Sequence, residues 1–265
     1  QPRALSVSPD GATVYCAFFE SGNATTVLNG NDFFNFQHGT FSNGQPRRGI
    51  CSPQGGCTVI PNEVTNPAGP YGGAVNAAAG IVPNAGTGFV PPLNPANPPT
   101  PESKSLIVRK NAAGQWMDDN GGNWTPLVSG SAPGKARITG WDMPDRDVAM
   151  LNTSNNAVTY KQSLGNILMA MSVRPTTGEV FVVGTDATNE KRFEPNLRGR
   201  FLTVNVSRFL GAGPVTRTDL NPHIDYSTHA SPPALRKQSI GDPRAIAWRS
   251  DGSQAFVTGM GSNNV

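Results

Sequence analysis

One phrase occurs three times in this chain and constrains its fold more than any other feature. It reads LSVSPDGATVYCAF at 5–18, MSVRPTTGEVFVVG at 171–184 and IAWRSDGSQAFVTG at 246–259. Each copy has apolar residues at alternate positions, a polar turn with glycine, and a second alternating run. Alternation of period two marks a half-buried strand, because successive side chains point to opposite faces. The turns SPDG, PTTG and SDG place glycine where a hairpin needs positive φ. Each phrase therefore predicts a β-hairpin whose apolar row, Leu5, Val7, Val14 and Cys16 in the first, faces a common core.

A lone hairpin cannot bury such a row, but neighbouring sheets can bury each other's. Strand-built repeats of this kind predict an all-β chain, a β-propeller of four-stranded antiparallel blades. NATTVLN (23–29) reads as an outer strand following the first hairpin, and RDVAMLNTSNNAV (146–158) as one preceding the second. GSNNV (261–265) reads as the start of another. The blade phrases thus fall at 1–30, 141–185 and 240–265 of one propeller spanning 1–265. Residues 31–140 contain a Pro/Gly/Asn-rich insertion. That insertion reads as a linker or as an ordered excursion anchored by Phe33, Phe34, Phe36, Tyr71 and Phe89. A closed ring must pair its first and last blades, so the chain is expected to be a partial propeller, seven-bladed when complete.

Composition agrees with short strands and turns: 30 glycines and 24 prolines accompany only 15% charged residues. The net charge of +3 comes with no run of Lys or Arg, which argues against a nucleic-acid partner. No apolar stretch reaches the length of a membrane span.

Cys51 and Cys57 bracket the Gly/Pro loop CSPQGGC. A loop-closing disulfide and a pair of reduced thiols compete. The disulfide is favoured because such a loop has no apolar core to hold it, and it points to an oxidising compartment. A zinc site needs four ligands, and no second pair follows. Cys16, in the apolar run TVYCAFF, reads as a buried thiol.

Four further groups are candidates for chemistry. In WMDDNGGNW (116–124), Asp118, Asp119, Asn120 and Asn123 surround two glycines. Oxygen ligands on a turning backbone suit calcium, whereas a tight turn between the strands SLIVRK and WTPLVSG explains the same letters. His223 and His229 flank Asp225 and read as a metal, haem-edge or general-base site, or as a loop bonded to its own backbone. RFEPNLRGRF gathers Arg192, Arg198 and Arg200 with Glu194, for an anionic ligand or for ion pairs between blades. Arg3 and Arg244, at the entry of PRALSVS and PRAIAWR, are placed to reach a channel mouth. No phosphate-binding, nucleophile-elbow, dinucleotide-binding or HExxH motif is present.

The three phrases resemble the YVTN-type β-propeller repeat, with a consensus similar to P..VAVSPDG..VYVAN..SNTVTVID. SLIVRKNAAGQWMDDNGGNWT, GWDMPDRDVAMLN, RFEPNLRGRFLTVNVS and DLNPHIDYS are similar to segments of large secreted bacterial proteins. In those proteins such a propeller accompanies c-type cytochrome or di-haem peroxidase-like modules. The resemblance implies a propeller module and an electron-transfer setting. Haem c requires CxxCH, which this sequence lacks, so any such haem would lie outside these residues. The expectation is a non-catalytic module of a secreted, cell-surface or periplasmic protein, binding a protein partner or a neighbouring redox domain. The alternatives are a lactonase- or quinoprotein-like enzyme with a central-channel site, and a structural subunit of a surface layer or filament.

Overall fold

All three phrases form hairpins in the computed structural model, which describes residues 1–29, 49–51, 57–59, 105–119, 121–128, 140–141, 144–188, 201–226 and 231–262. In chain order the first strands are β1 (Pro2–Val7), β2 (Thr13–Phe18), β3 (Thr25–Asn29), β4 (Gly49–Cys51), β5 (Cys57–Val59), β6 (Ser105–Lys110), β7 (Trp116–Met117) and β8 (Gly140–Trp141). There follow β9 (Val148–Asn152), β10 (Val158–Lys161), β11 (Ile167–Val173), β12 (Val180–Ala187), β13 (Leu202–Phe209), β14 (Thr216–Asp219), β15 (Pro243–Trp248) and β16 (Ala255–Gly259). Two single-turn helices, α1 (Thr125–Val128) and α2 (Pro233–Arg236), complete the described elements. The sheets are antiparallel, in the orders β1-β2-β9-β10, β11-β12-β13-β14, β15-β16, β7-β6-β3-β8 and β4-β5.

The chain divides into two units. The first comprises Gln1–Ala24, Met143–Thr188 and Arg200–Val265, and holds the first three sheets. The second comprises Thr25–Asp142 and Asn189–Gly199.

In the first unit the three hairpins are built alike. Gly11, Gly178 and Gly252 have φ of +71°, +73° and +66°, the left-handed region that glycine enters without steric cost. Each leading strand also carries a register shift near its start, between Pro2 and Ala4, Leu168 and Ala170, and Pro243 and Ala245. Opposite the second of these shifts stands Gly184, paired with Leu168. A Cβ there would lie 3.0 Å from the Leu168 Cα and collide with the Ile167 carbonyl. Backbone cannot swing aside as a side chain can, so Gly184→Ala is expected to cost about 1–3 kcal/mol, the usual cost of overpacking. Urea denaturation of the variant checks this; an unchanged midpoint would contradict the close approach.

The sheets stack through opposite faces. Tyr15 and Ala17, on one face of the first sheet, are buried with Met171, Val180, Val182 and Phe209 of the second. Val148 and Leu168 join the same core. The Tyr15 and Phe209 rings meet edge-on at 6.2 Å and 74°. On its other face the second sheet presents Phe181, which meets Trp248 of the third edge-on at 4.8 Å. The Arg174 guanidinium lies 5.3 Å from the Trp248 ring centre, and its Nε donates to the Gly252 carbonyl at 2.8 Å. Tyr15, Phe181 and Phe256 hold equivalent positions in the three phrases, so one aromatic position leads each sheet into the next.

Two strand assignments differ from expectation. NATTVLN forms β3, but it pairs with β6 and β8 in the second unit instead of following β2. The first sheet gains β9 from RDVAMLNTSNNAV and β10 from VTYK, which begins at its last residue, through β2–β9 and β9–β10 pairing. Alternation marks a strand but not its partner, and β9 joins β2 only after the long stretch Thr25–Asp142. In that unit β6 and β7 are joined by the turn at 111–115, where Gly114 has φ +78°. WTPLVSG gives α1, not a strand, since the Asn123 side chain accepts from the Thr125 N–H at 3.0 Å and turns the chain. The five aromatics of the insertion lie outside the described residues.

Candidate functional site

An open cleft of about 410 Å³ runs between the hairpin turns of the first unit. Ser8, Asp10, Thr13, Thr176, Thr177 and Leu210 are among its lining residues. Its polar groups largely serve the turn itself. The Ser8 hydroxyl donates to Asp10 Oδ1 at 2.6 Å and accepts from the Thr13 N–H at 2.9 Å. The Ala12 N–H also donates to Asp10 Oδ1 at 3.0 Å. These bonds, the Ser8 hydroxyl first, hold the Asp10 carboxyl below its ordinary range. A carboxylate so stabilised is a poor proton acceptor.

Cys16 is free and half-buried in β2. Burial pushes its thiol up, so the nucleophilic thiolate is disfavoured.

The structure places the remaining candidates as follows. Arg3 and Arg244 both fall in the register shift that opens their hairpin. The Arg3 guanidinium lies 5.8 Å from the Phe19 ring centre, and Arg244 pairs with Asp242 at 2.8 Å. His223 Nε2 lies 3.2 Å from the Leu235 carbonyl and 3.0 Å from the Ser239 hydroxyl, tying its loop to α2. The same loop is anchored by Asn221, whose side chain binds both the N–H and the carbonyl of Ile240. Tyr226 donates to Asp219 at 2.8 Å. His229, Arg192, Glu194, Arg198, Arg200 and Asn120 lie outside the described residues. Backbone register sets Cys51 opposite Cys57 in β4 and β5, while their side chains lie outside the described residues.

Asp118 is buried and turned inward. Its Oδ1 accepts from the Gly122 N–H at 2.7 Å and its Oδ2 from the Trp124 indole at 2.9 Å. Trp124 is itself fully buried in the second unit, with Val108 and Val128 also buried there. Among the described residues no group of three or more His, Cys, Asp or Glu is arranged to hold a metal. Asp118→Ala removes both bonds at a buried site and is expected to destabilise the second unit by about 1–3 kcal/mol. Thermal unfolding followed by tryptophan fluorescence reads this; an unshifted transition would show that the carboxylate is dispensable to the turn.

Two buried acids escaped the sequence reading. Asp147, just before β9, accepts from the Leu164 N–H at 2.6 Å through Oδ2. Its Oδ1 is buried without a hydrogen bond of normal geometry. Burial pushes its carboxyl up to about 7; the Ser21 hydroxyl and the Leu164 N–H oppose the shift, and Asp145 adds to it. Asp186, at the end of β12, pairs with Arg217 of β14. An acid closing an apolar strand, as in VVGTDA, was the available signal for Asp186. Asp147 stands in a charged stretch, PDRD, that reads as solvent-exposed.

No protein-family model matches the chain. No curated protein matches it in sequence. Among solved structures, the hydrazine synthase of Kuenenia stuttgartiensis is similar at 13% identity with a TM-score of 0.34. The similarity covers 98% of this chain and 62% of that one, so the chain spans less than two thirds of its length.

Proposed function

We propose that the stacked sheets are blades of a β-propeller, and that the chain is a non-catalytic propeller module serving as a protein-interaction scaffold. The observation that carries this reading is the repeated stacking itself. Three hairpins of one design follow one another in one unit, and successive sheets meet through opposite faces. Stacking of this kind is how radial β-architectures bury sheets that cannot stand alone. The open cleft and exposed apolar residues give such a scaffold surface to bind with, as large exposed patches do. The setting is a larger secreted, cell-surface or periplasmic bacterial protein, with a Cys51–Cys57 disulfide and a neighbouring c-type cytochrome module. The sequence resemblance supports that setting, and the opposed backbone positions of Cys51 and Cys57 suit the disulfide.

The protein purified from its source tests the reading. Electron microscopy should show a disc with a central channel, and its absorption spectrum a Soret band from the adjoining module. A particle without the disc overturns the propeller; a disc without haem absorption removes the redox setting alone. Thiol titration before and after reduction tests the disulfide, and calorimetric titration with calcium chloride tests the 116–124 loop.

A further inference from the structure

The cleft between the first two hairpin turns combines one fixed negative charge with apolar walls. Asp10 is the only charged side chain among its lining residues. Both bonds that fix the Asp10 carboxylate fall on a single oxygen: the Ser8 hydroxyl and the Ala12 N–H donate to Oδ1. Oδ2 accepts neither of them. The carboxylate is thus oriented before any ligand arrives, with one oxygen to offer. Its charge is felt within the cleft: burial pushes the hydroxyl of Tyr15, another lining residue, up, and Asp10 adds to the shift. The walls come from three turns. Pro9 stands on the first hairpin, Pro175 on the second and Leu210 between β13 and β14, and all three are exposed. The two hairpin turns approach at one edge, where a Cβ on Gly178 would lie 3.7 Å from the Pro9 ring.

We propose that this cleft takes a lysine side chain of a protein partner, with the ammonium on Asp10 Oδ2 and the methylene stem along Pro9, Pro175 and Leu210. Charge complementarity selects a cation. A long cationic side chain lays its stem on apolar surface while its head keeps a polar partner, which matches a carboxylate beside two prolines and a leucine. The spent oxygen selects between the two cations. A guanidinium fork is best bound by both carboxylate oxygens at once, whereas an ammonium is a point charge that one oxygen can hold. The inference rests on the interaction-scaffold reading and deepens it by naming the chemistry that the scaffold grips.

Carbodiimide coupling of the full-length protein to hexalysine, mapped by mass spectrometry, tests it. Asp251 is a built-in reference: it holds the equivalent place in the third turn, its Oδ1 likewise accepts two local bonds, and it does not line this cleft. Hexalysine should couple severalfold more to Asp10 than to Asp251, and methylamine, which has no stem, equally to both. Asp10→Asn keeps the turn's acceptor oxygen and should leave the circular dichroism unchanged. It should weaken the binding of fluorescein-labelled hexalysine, read by anisotropy, by about threefold, as for an exposed ion pair, while Asp251→Asn leaves it as it was. Equal hexalysine coupling at Asp10 and Asp251, or an unchanged titration of Asp10→Asn, would overturn the inference. A larger loss for hexaarginine than for hexalysine in Asp10→Asn would overturn the choice of lysine. Hexaglutamate bound at this cleft would sink the inference and leave the scaffold reading standing. The disc sought by electron microscopy does not depend on any of these results, so failure of this site and failure of the propeller reading are told apart.

Discussion

Phe209→Ala is expected to cost the first unit about 3–5 kcal/mol, the range for deleting a buried aromatic ring. Phe209 is 2% exposed and sits where the first and second sheets meet. It stands opposite Val180 in the ladder, edge-on to Tyr15, with the Lys161 ammonium 5.2 Å from its ring centre. That ammonium is itself tied to the Gly213 carbonyl, so the neighbours cannot simply collapse into the space left. Part of the cost is specific to the ring pair: edge-on aromatics contribute about 0.5–1.5 kcal/mol beyond their buried area. Tyr15→Ala and the double variant should therefore fall short of additivity by about that amount. The control is the adjacent residue: Leu210 is 58% exposed, and Leu210→Ala should stay within about 0.5 kcal/mol. Hydrogen exchange on the β2 and β12 amides, read with urea denaturation, separates the two. Equal small losses at both sites would show that these two sheets do not share a core.

Local structure was legible in this sequence, and partners across long distances were not. The three hairpins follow from alternation and from the need for glycine in the turn, as Gly11, Gly178 and Gly252 bear out. Both signals are carried within about fourteen residues. NATTVLN shows the limit. Its alternation gives β3, but which strand lies beside it depends on a chain excursion that no local pattern encodes. WTPLVSG fails for a different reason. The Asn123 side chain accepts from the Thr125 N–H at the start of α1, a local bond that the apolar pattern does not register. The candidate site was less legible than the fold. His223, Asp118 and Arg244 were chosen for their chemical type, and in the structure their bonds serve loops, a turn and a local ion pair. Asp147 was passed over because a charged residue between strands ordinarily lies in solvent.

Asp147 sets the pH dependence of the first unit. Its carboxyl is fully buried at the junction between β9 and the segment entering β11, where the Leu164 N–H and the Ser21 hydroxyl only partly offset the burial. Ionising it there places a negative charge in a low-dielectric site beside Asp145, whose oxygens already accept from the Ser163 N–H and hydroxyl. The two cations nearest in sequence and ladder make other contacts: Arg146 lies over the Tyr160 ring at 4.8 Å, and the Lys161 ammonium binds the Gly213 carbonyl. The folded value of about 7 lies above the unfolded value near 3.9, so the folded state binds this proton more tightly. Its stabilising contribution is complete below about pH 4, declines as pH rises through about 7, and is absent above. The change is on the order of a few kcal/mol. Asp10 and Asp251, both lowered by their turn hydrogen bonds, act in the opposite sense and only under acid conditions, below the ordinary carboxylate range. The Asp147 contribution is therefore read between pH 4.5 and 7.5 by comparison with a variant that lacks its proton. Asp147→Asn keeps an oxygen for the Leu164 N–H and removes the proton. Urea unfolding across that interval should show the wild type losing stability with rising pH while the variant stays flat and becomes the more stable of the two above pH 7. Parallel slopes in the two proteins would mean that the charge is relieved by groups that the geometry around Asp147 does not supply.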